Sequence, residues 1–161
     1  MKSELTQLAE RIRYEMTDLE RVHERIIEGL ARAKRLADDY YLDSVALNLH
    51  GFYSGLERIF ELIATILDDI APQGKNWHQA LLQQMTIELP NIRPAVISAT
   101  VYEQLNEYRG FRHVVRNVYT FKFDPIRVEQ LVVKASPLFV QVRNELLAFA
   151  QFLEQQADES A

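Results

Sequence analysis

The chain has 161 residues and a formal charge of −5, with 48% hydrophobic and 25% charged residues, which is the composition of an ordinary globular domain. It has no cysteine and only five Gly and five Pro, so disulfides and cysteine-based zinc sites are excluded and long helices are favoured over many short strands. The N-terminal residues carry no apolar signal core, and no segment is apolar over a membrane-spanning length. We therefore expect one cytoplasmic domain that covers residues 1–161.

Apolar residues at helical spacing predict a first long helix over residues 4–38 and a second over residues 44–70. The second helix has a wide apolar arc, so it must contact neighbours on more than one side. Gly51 and Gly55 lie four residues apart on one of its faces. They indicate either the close approach of another helix, such as one from a second subunit, or simple tolerance of glycine.

Proline and glycine separate the remaining helices. A short helix is predicted over residues 77–85 and a third long helix over residues 94–119, after a loop that holds two prolines. The last helix is predicted over residues 125–156, with a kink where Pro137 removes a backbone hydrogen bond. The sequence thus predicts an all-α fold, a bundle of four long helices plus one short helix.

Several common kinds of site are missing from the sequence. There is no Gly-rich phosphate loop or nucleophile elbow, and the four histidines show no metal-ligand spacing. Glu57 and Glu61 are spaced as in a di-iron bundle, but the E-x-x-H partner is missing. We therefore expect neither a metal nor a cofactor. His23 and His50 lie near apolar faces and are expected to be satisfied structural residues, and His78 a surface or cap residue.

A basic segment between Arg109 and Arg127 stands out from this acidic chain. It contains five Lys or Arg and one acid, a local charge of +4 in a chain of −5. Such a segment indicates either an anion site, with phosphate as the usual candidate, or a solvated helix face with a few ion pairs. Arg112 and Asn117, five residues apart, lie about 140° apart around a helix. If both serve one site, a second copy of the helix must contribute to it, which predicts a two-fold homodimer.

The letters FRHVVRNVY, which end at Tyr119, resemble the signature of the HEPN superfamily, and of HepT-like toxins in particular. That signature is an Arg, four residues, a His, one residue and a Tyr, often with a polar residue directly after the Arg. Arg112, His113 and Tyr119 match it. The resemblance extends to residues 52–60 of the second helix and to residues 77–82 of the short helix. It implies a helical homodimer with a composite, metal-independent endoribonuclease site where the motif helices meet.

The resemblance also implies roles for single residues. Arg112 would bind and polarise the scissile phosphate, and the family His would act as a general acid/base near the ribose 2′-OH. Arg109 and Arg116, on the same helix, are candidates for binding phosphate or RNA. Such toxins pair with a minimal nucleotidyltransferase antitoxin, which can add adenylate to the motif Tyr, here Tyr119.

One position departs from the family pattern, because Asn117 stands where the family has its catalytic His. Asn cannot titrate, so it cannot move a proton near pH 7. Three explanations stay open. The chain is a natural degenerate member with a binding role only, or an engineered inactive variant, or a ribonuclease in which His113, one helical turn away, is the working base.

Three functions compete at this point. The first is the toxin component of a type II toxin–antitoxin pair, a ribonuclease fold whose activity is weakened or lost through Asn117. The second is a non-catalytic binding subunit that docks a nucleotidyltransferase and presents Tyr119 to it. The third is a structural helical dimer whose arginines form ion pairs with acids of their own subunit, namely Glu57, Glu61, Glu103 or Glu107.

Overall fold

The computed structural model describes residues 3–160, and in that range the chain forms five α-helices and no strand. The helices are α1 (Glu4–Leu36), α2 (Tyr40–Ile63), α3 (Trp77–Gln84), α4 (Ala99–Asn117) and α5 (Pro125–Ser160). A π-helical turn, Ala64–Asp68, continues α2, and a 3₁₀ turn, Thr120–Lys122, lies between α4 and α5. Four of these helices are long and α3 is short, which confirms the predicted fold class. Among residues 3–160, no helix has both the length and the apolar character needed to cross a membrane.

Helix α2 is the central element of the bundle, as its wide apolar arc predicts. It packs against α1, α3, α4 and α5, and 11 of its 24 residues are buried. Helix α4 buries one side against this centre, and Tyr108 on that side donates its hydroxyl proton to the Leu131 carbonyl oxygen at 2.6 Å. That bond joins α4 to α5, while the buried side of α4 packs against α2. The bundle therefore holds α4 firmly along one face of α2.

The two glycines of α2 have different surroundings. A Cβ atom at Gly55 would lie 2.7 Å from Cδ2 of Leu19 in α1, so glycine is what permits the close approach of α1 and α2. At Gly51 an added Cβ would meet no atom of the described chain within 4 Å. The close helix approach is thus found at Gly55 and within one chain, whereas Gly51 has no such neighbour there.

Helix α2 begins earlier than predicted. It starts at Tyr40, because Oδ1 of Asp38 accepts a hydrogen bond from the Tyr40 backbone N–H at 3.1 Å and opens the helix there. The predicted start near residue 44 was wrong for this local reason. A chain reversal of three residues, 37–39, is enough to join the two helices.

The end of α2 also differs from the prediction. The regular helix stops at Ile63, and the wider turn that follows rotates the next residues around the axis. Ile66 and Ile70, which would continue the apolar stripe of a regular helix, are therefore 38% and 67% exposed. Asp68 is turned into the interior instead, where it is 6% exposed.

The buried Asp68 carboxylate forms an ion pair with Arg93, whose side chain is also fully buried. The Arg93 Nε and Nη2 atoms donate to the two Asp68 oxygens at 2.7 and 2.8 Å. The same guanidinium donates to the carbonyl oxygens of Ile87, Pro94 and Gln84. Arg93 thus ties the loop before α4 to the end of α2. Sequence analysis assigned no role to either member of this pair.

Helix α4 begins at Ala99, five residues after the predicted start. Ser98 caps it, with its Oγ accepting a hydrogen bond from the Val101 N–H at 3.2 Å. The carboxylate of Glu145 in α5 holds both the backbone N–H and the hydroxyl of Ser98. The cap is therefore fixed by tertiary structure, which the prediction did not include.

Helix α4 ends at Asn117. The prediction that Tyr119 lies on the same helix as Arg112 was therefore wrong. The Asn117 side-chain amide donates to the His113 carbonyl oxygen at 2.7 Å, and Val118 is extended. The chain then turns back so that Phe123 packs against α4. At the other end of the molecule, α5 runs to Ser160, past the predicted end at residue 156.

Candidate phosphate-binding site

The basic residues of α4 lie beside a polar stripe on α2. Arg112 and Arg116 act electrostatically on His50, and Arg109 and Arg112 act on Tyr53. Arg109 and Arg112 are half-buried, while Arg116 is exposed. We call this region the α2–α4 seam, and it consists of His50, Tyr53, Ser54 and Glu57 of α2 with Arg109, Arg112 and Arg116 of α4.

The three arginines of the seam lack counter-ions. In the part of the chain that the structure describes, no ion pair is formed by Arg109, Arg112 or Arg116. Arg109 Nε donates to the Asn106 side-chain oxygen at 2.8 Å, which satisfies one donor but neutralises no charge. The basic charge of the seam is therefore available to an anion.

The acids that were expected to pair with these arginines are engaged elsewhere or exposed. Glu107 lies 3.5 Å from Arg127 and 3.3 Å from Lys134. Glu57 accepts a hydrogen bond from His78 at 2.7 Å. The ion pairs on which the structural-dimer hypothesis depends are thus not found among residues 3–160.

Three buried side-chain atoms of the described residues have no hydrogen-bond partner, namely His50 Nε2, Ser54 Oγ and Arg112 Nε. His50 and Ser54 lie four residues apart, so they share one face of α2. A buried polar group without a partner costs about 1–3 kcal/mol, and such groups call for an explanation, such as strain, a bound water, a bound ion or a functional role. Arg112 acts electrostatically on His50, and Ser54 lies one helical turn from His50 on α2.

The two histidines that were expected to be satisfied differ in outcome. His23 is confirmed as a satisfied residue, because its Nε2 lies 2.9 Å from Ser136 Oγ and its ring stacks on Phe139. For His50 the expectation was wrong, because its Nε2 has no partner. Burial lowers the pKa of His50, and the positive charges of Arg112 and Arg116 lower it further, whereas Glu57 opposes them. His50 is consequently neutral at pH 7.

Glu57 connects the seam to α3. It is 4% exposed, and its carboxylate accepts a hydrogen bond from Nδ1 of His78, whose ring stacks on Trp77. Burial, and next to it the Glu57 charge, raise the pKa of the Tyr53 hydroxyl. His78, which was expected at the surface or in a cap, is half-buried and bonded instead. No group of His, Asp and Glu in the described range is arranged to hold a metal ion.

The other motif residues lie on the exposed side of α4 or beyond its end. His113 and Asn117 are exposed, and the Asn117 amide is turned back onto His113, 3.3 Å from its Nδ1. Tyr119 is 72% exposed and its ring stacks on Phe121, with centroids 5.7 Å apart. One chain therefore gathers the three arginines against α2 but does not bring Asn117, His113 or Tyr119 to them.

Sequence analysis missed the polar side of the seam. The signal was present in the spacing of His50, Ser54, Glu57 and Glu61, which repeats every three or four residues in a helix that is otherwise apolar. Polar groups on the buried part of a central helix must find partners or a ligand. Glu57 and Glu61 were considered as metal ligands and as ion-pair partners of the arginines, but not as members of this longer stripe.

Comparison with known proteins points to one family. The family model described as HepT-like protein matches residues 44–153, which is more than half of the chain. The match includes both sides of the seam and the segment that ends at Tyr119. Searches of curated proteins and of solved structures gave no significant match.

Proposed function

Because the chain belongs to the HepT-like proteins of the HEPN superfamily, we propose that it is the toxin component of a type II toxin–antitoxin pair and binds RNA at the α2–α4 seam. Arg112 is the central phosphate ligand, with Arg109 and Arg116 beside it. The observation that carries the proposal is the unpaired state of Arg112, whose buried Nε has no partner. A partly desolvated cation without a counter-ion attracts an anion strongly, because the surrounding dielectric is low.

The distribution of charge favours RNA at this place. The segment from Arg109 to Arg127 carries +4, whereas the chain as a whole carries −5. The acidic remainder repels a polyanion, so RNA is steered toward the basic segment. Binding of this kind weakens as salt is added, because phosphate contacts release counter-ions.

We propose that the working form is a homodimer. Arg112 is turned toward α2 while Asn117 is exposed, so one chain does not bring both to a single phosphate. Leu47, which is 65% exposed, and Gly51, which has open space beside it, lie four residues apart on α2 and offer a face for a second copy. Analytical ultracentrifugation at micromolar concentrations tests this, and a strict monomer would remove the composite site.

The ribonuclease part of the proposal depends on Asn117. If this position is where proton transfer takes place in the family, Asn117→His should raise RNA cleavage by roughly 10²- to 10⁴-fold, the usual contribution of a positioned acid/base. Arg112→Ala placed on top of it should abolish the gain, since the phosphate is no longer held. If His113 is the working base, the unmodified chain already cleaves RNA and His113→Ala silences it. Should no variant cleave RNA, the ribonuclease proposal is wrong.

A second function is favoured by the exposure of Tyr119. Its phenol stands 72% exposed beyond the end of α4, where the active site of a nucleotidyltransferase partner could reach it. In that reaction the phenol oxygen attacks the α-phosphate of ATP, and pyrophosphate leaves. Incubation with a minimal nucleotidyltransferase and ATP should add the mass of one adenylate, and Tyr119→Phe should prevent it. Tyr14, 63% exposed on α1, is the control, because Tyr14→Phe should leave the addition intact.

A further inference from the structure

We propose that His50 and Ser54 of α2 complete the phosphate site of Arg112, with the Ser54 hydroxyl and a protonated His50 imidazole both donating hydrogen bonds to the bound phosphate. This inference rests on the proposed phosphate site. It adds two phosphate ligands from α2, and it adds the uptake of a proton by His50 when the phosphate binds.

The unpartnered buried atoms come from both helices of the seam. His50 Nε2, Ser54 Oγ and Arg112 Nε are the buried side-chain polar atoms without a partner in the described chain, and each of these groups is able to donate to an anion once His50 is protonated. One phosphate offers several acceptor oxygens, so a single ligand would satisfy all three. Hydrogen bonds to a charged group contribute about 1.5–3 kcal/mol each.

Access to these three groups is partial. His50, Ser54 and Arg112 are half-buried as residues, so each side chain reaches solvent in part although its unpartnered atom is buried. Gly51, next to His50 in the chain, has no described atom within 4 Å of an added Cβ.

The proton on His50 depends on the charges around it. The charged groups that shift the pKa of His50 are Arg112 and Arg116 of α4, which lower it, and Glu57 of its own helix, which raises it. In the free protein the two arginines disfavour the imidazolium. A phosphate bound to them cancels their field and adds negative charge, so it favours the imidazolium. Binding is therefore coupled to proton uptake, and affinity rises as the pH falls between the pKa of bound and of free His50.

The probe is a diribonucleotide with 2′-O-methyl groups, which carries one phosphodiester, resists cleavage and keeps a constant charge between pH 5 and 8. Calorimetric titrations in two buffers of different ionisation enthalpy report how many protons are taken up. We expect net uptake by the unmodified chain and none by His50→Gln. Ser54→Ala should weaken binding by about 10- to 100-fold, the value of a hydrogen bond to a charged group, while proton uptake persists. His23→Gln is the matched control, since His23 is equally half-buried with a lowered pKa but lies outside the seam.

A second measurement needs no variant. The NMR titration of the His50 ring in the full chain should show its pKa rising when the diribonucleotide is added, while that of His23 stays the same. If Arg112→Ala abolishes binding but His50→Gln and Ser54→Ala bind as the unmodified chain does, the inference is overturned and the phosphate site stands. If the unmodified chain does not bind the probe or any RNA, both are overturned. Proton uptake that survives in His50→Gln contradicts the part assigned to His50.

Discussion

Arg93 and Arg112 bring the same guanidinium into buried surroundings, and the fold treats them in opposite ways. Arg93 is fully buried, and its donors reach both oxygens of Asp68 and three backbone carbonyl oxygens. Arg112 has a buried Nε without a partner and forms no ion pair with any described residue. The first pattern is that of a structural residue, and the second leaves a charge and a donor without a partner in the described chain.

The difference in burial explains why the fold tolerates both. A fully buried charge costs several kcal/mol unless it is paired and hydrogen-bonded, and Arg93 meets that condition through Asp68. Arg112 is only half-buried, so part of its guanidinium keeps its hydration and the cost of the unpartnered Nε stays near 1–3 kcal/mol. We therefore expect stability to depend on Arg93 more than on Arg112.

The largest expected effect comes from removing Arg93. Arg93→Ala leaves the Asp68 carboxylate buried without its partner, which should lower the free energy of unfolding by about 3–5 kcal/mol. Arg112→Ala should change the free energy of unfolding by less than about 1 kcal/mol. The variant loses the packing of the side chain, which destabilises the fold, but it also removes an unsatisfied buried donor, which stabilises it. Urea denaturation of both variants measures the two effects. Equal losses of unfolding free energy in the two variants would contradict the difference described between Arg93 and Arg112.

The second largest expected effect concerns the two glycines of α2, of which Gly55 is closely packed and Gly51 is not. Gly55→Ala forces a methyl group against the buried Leu19, and overpacking of about 1–3 kcal/mol should outweigh the gain of about 1 kcal/mol in helix propensity. Gly51→Ala meets no atom of its own chain, so thermal unfolding of the monomer should show stabilisation. If a second copy packs on this face, the same variant weakens the dimer in sedimentation. A Gly51→Ala variant that unfolds as easily as Gly55→Ala would contradict the open space at Gly51.

The smallest expected effect is the dependence of stability on pH. Burial lowers the pKa of His23 and of His50 from the ordinary value of 6.5. Below pH 6.5 the unfolded chain therefore binds more protons than the folded chain, and stability falls as the pH drops from 6.5 through the folded-state pKa. Urea midpoints between pH 7.5 and 5 should decrease, and His23→Gln should make the decrease shallower. A midpoint that rises toward pH 5 would contradict the direction of these shifts.

The helices were predictable because apolar periodicity reports which side of a segment is buried. That signal placed α2 at the centre of the bundle, and its wide arc foretold contacts on several sides. It failed after Ile63, because a π-helical turn changes the register that periodicity assumes, and so the Asp68–Arg93 pair was not foreseen. Tyr119 was misplaced for a similar reason, since the side chain of Asn117 competes with the backbone where α4 ends.

The site was predictable on one helix only. The charge and spacing of Arg109, Arg112 and Arg116 indicate an anion site from the sequence alone. That Arg112 and Arg116 act on His50 follows from how α4 packs on α2, which no local pattern contains. A missing hydrogen-bond partner is likewise a property of the packed chain, and it is the property that distinguishes Arg112 from Arg93.

The most direct test is the affinity of a labelled single-stranded RNA for the unmodified chain and for Arg112→Ala, measured by fluorescence anisotropy at several salt concentrations. Arg127→Ala is the control, because Arg127 lies in the same basic segment but already faces Glu107. We expect Arg112→Ala to weaken binding by about 10-fold or more and to reduce the salt slope by about one, while Arg127→Ala changes affinity little. Equal affinity of the unmodified chain and Arg112→Ala would contradict it.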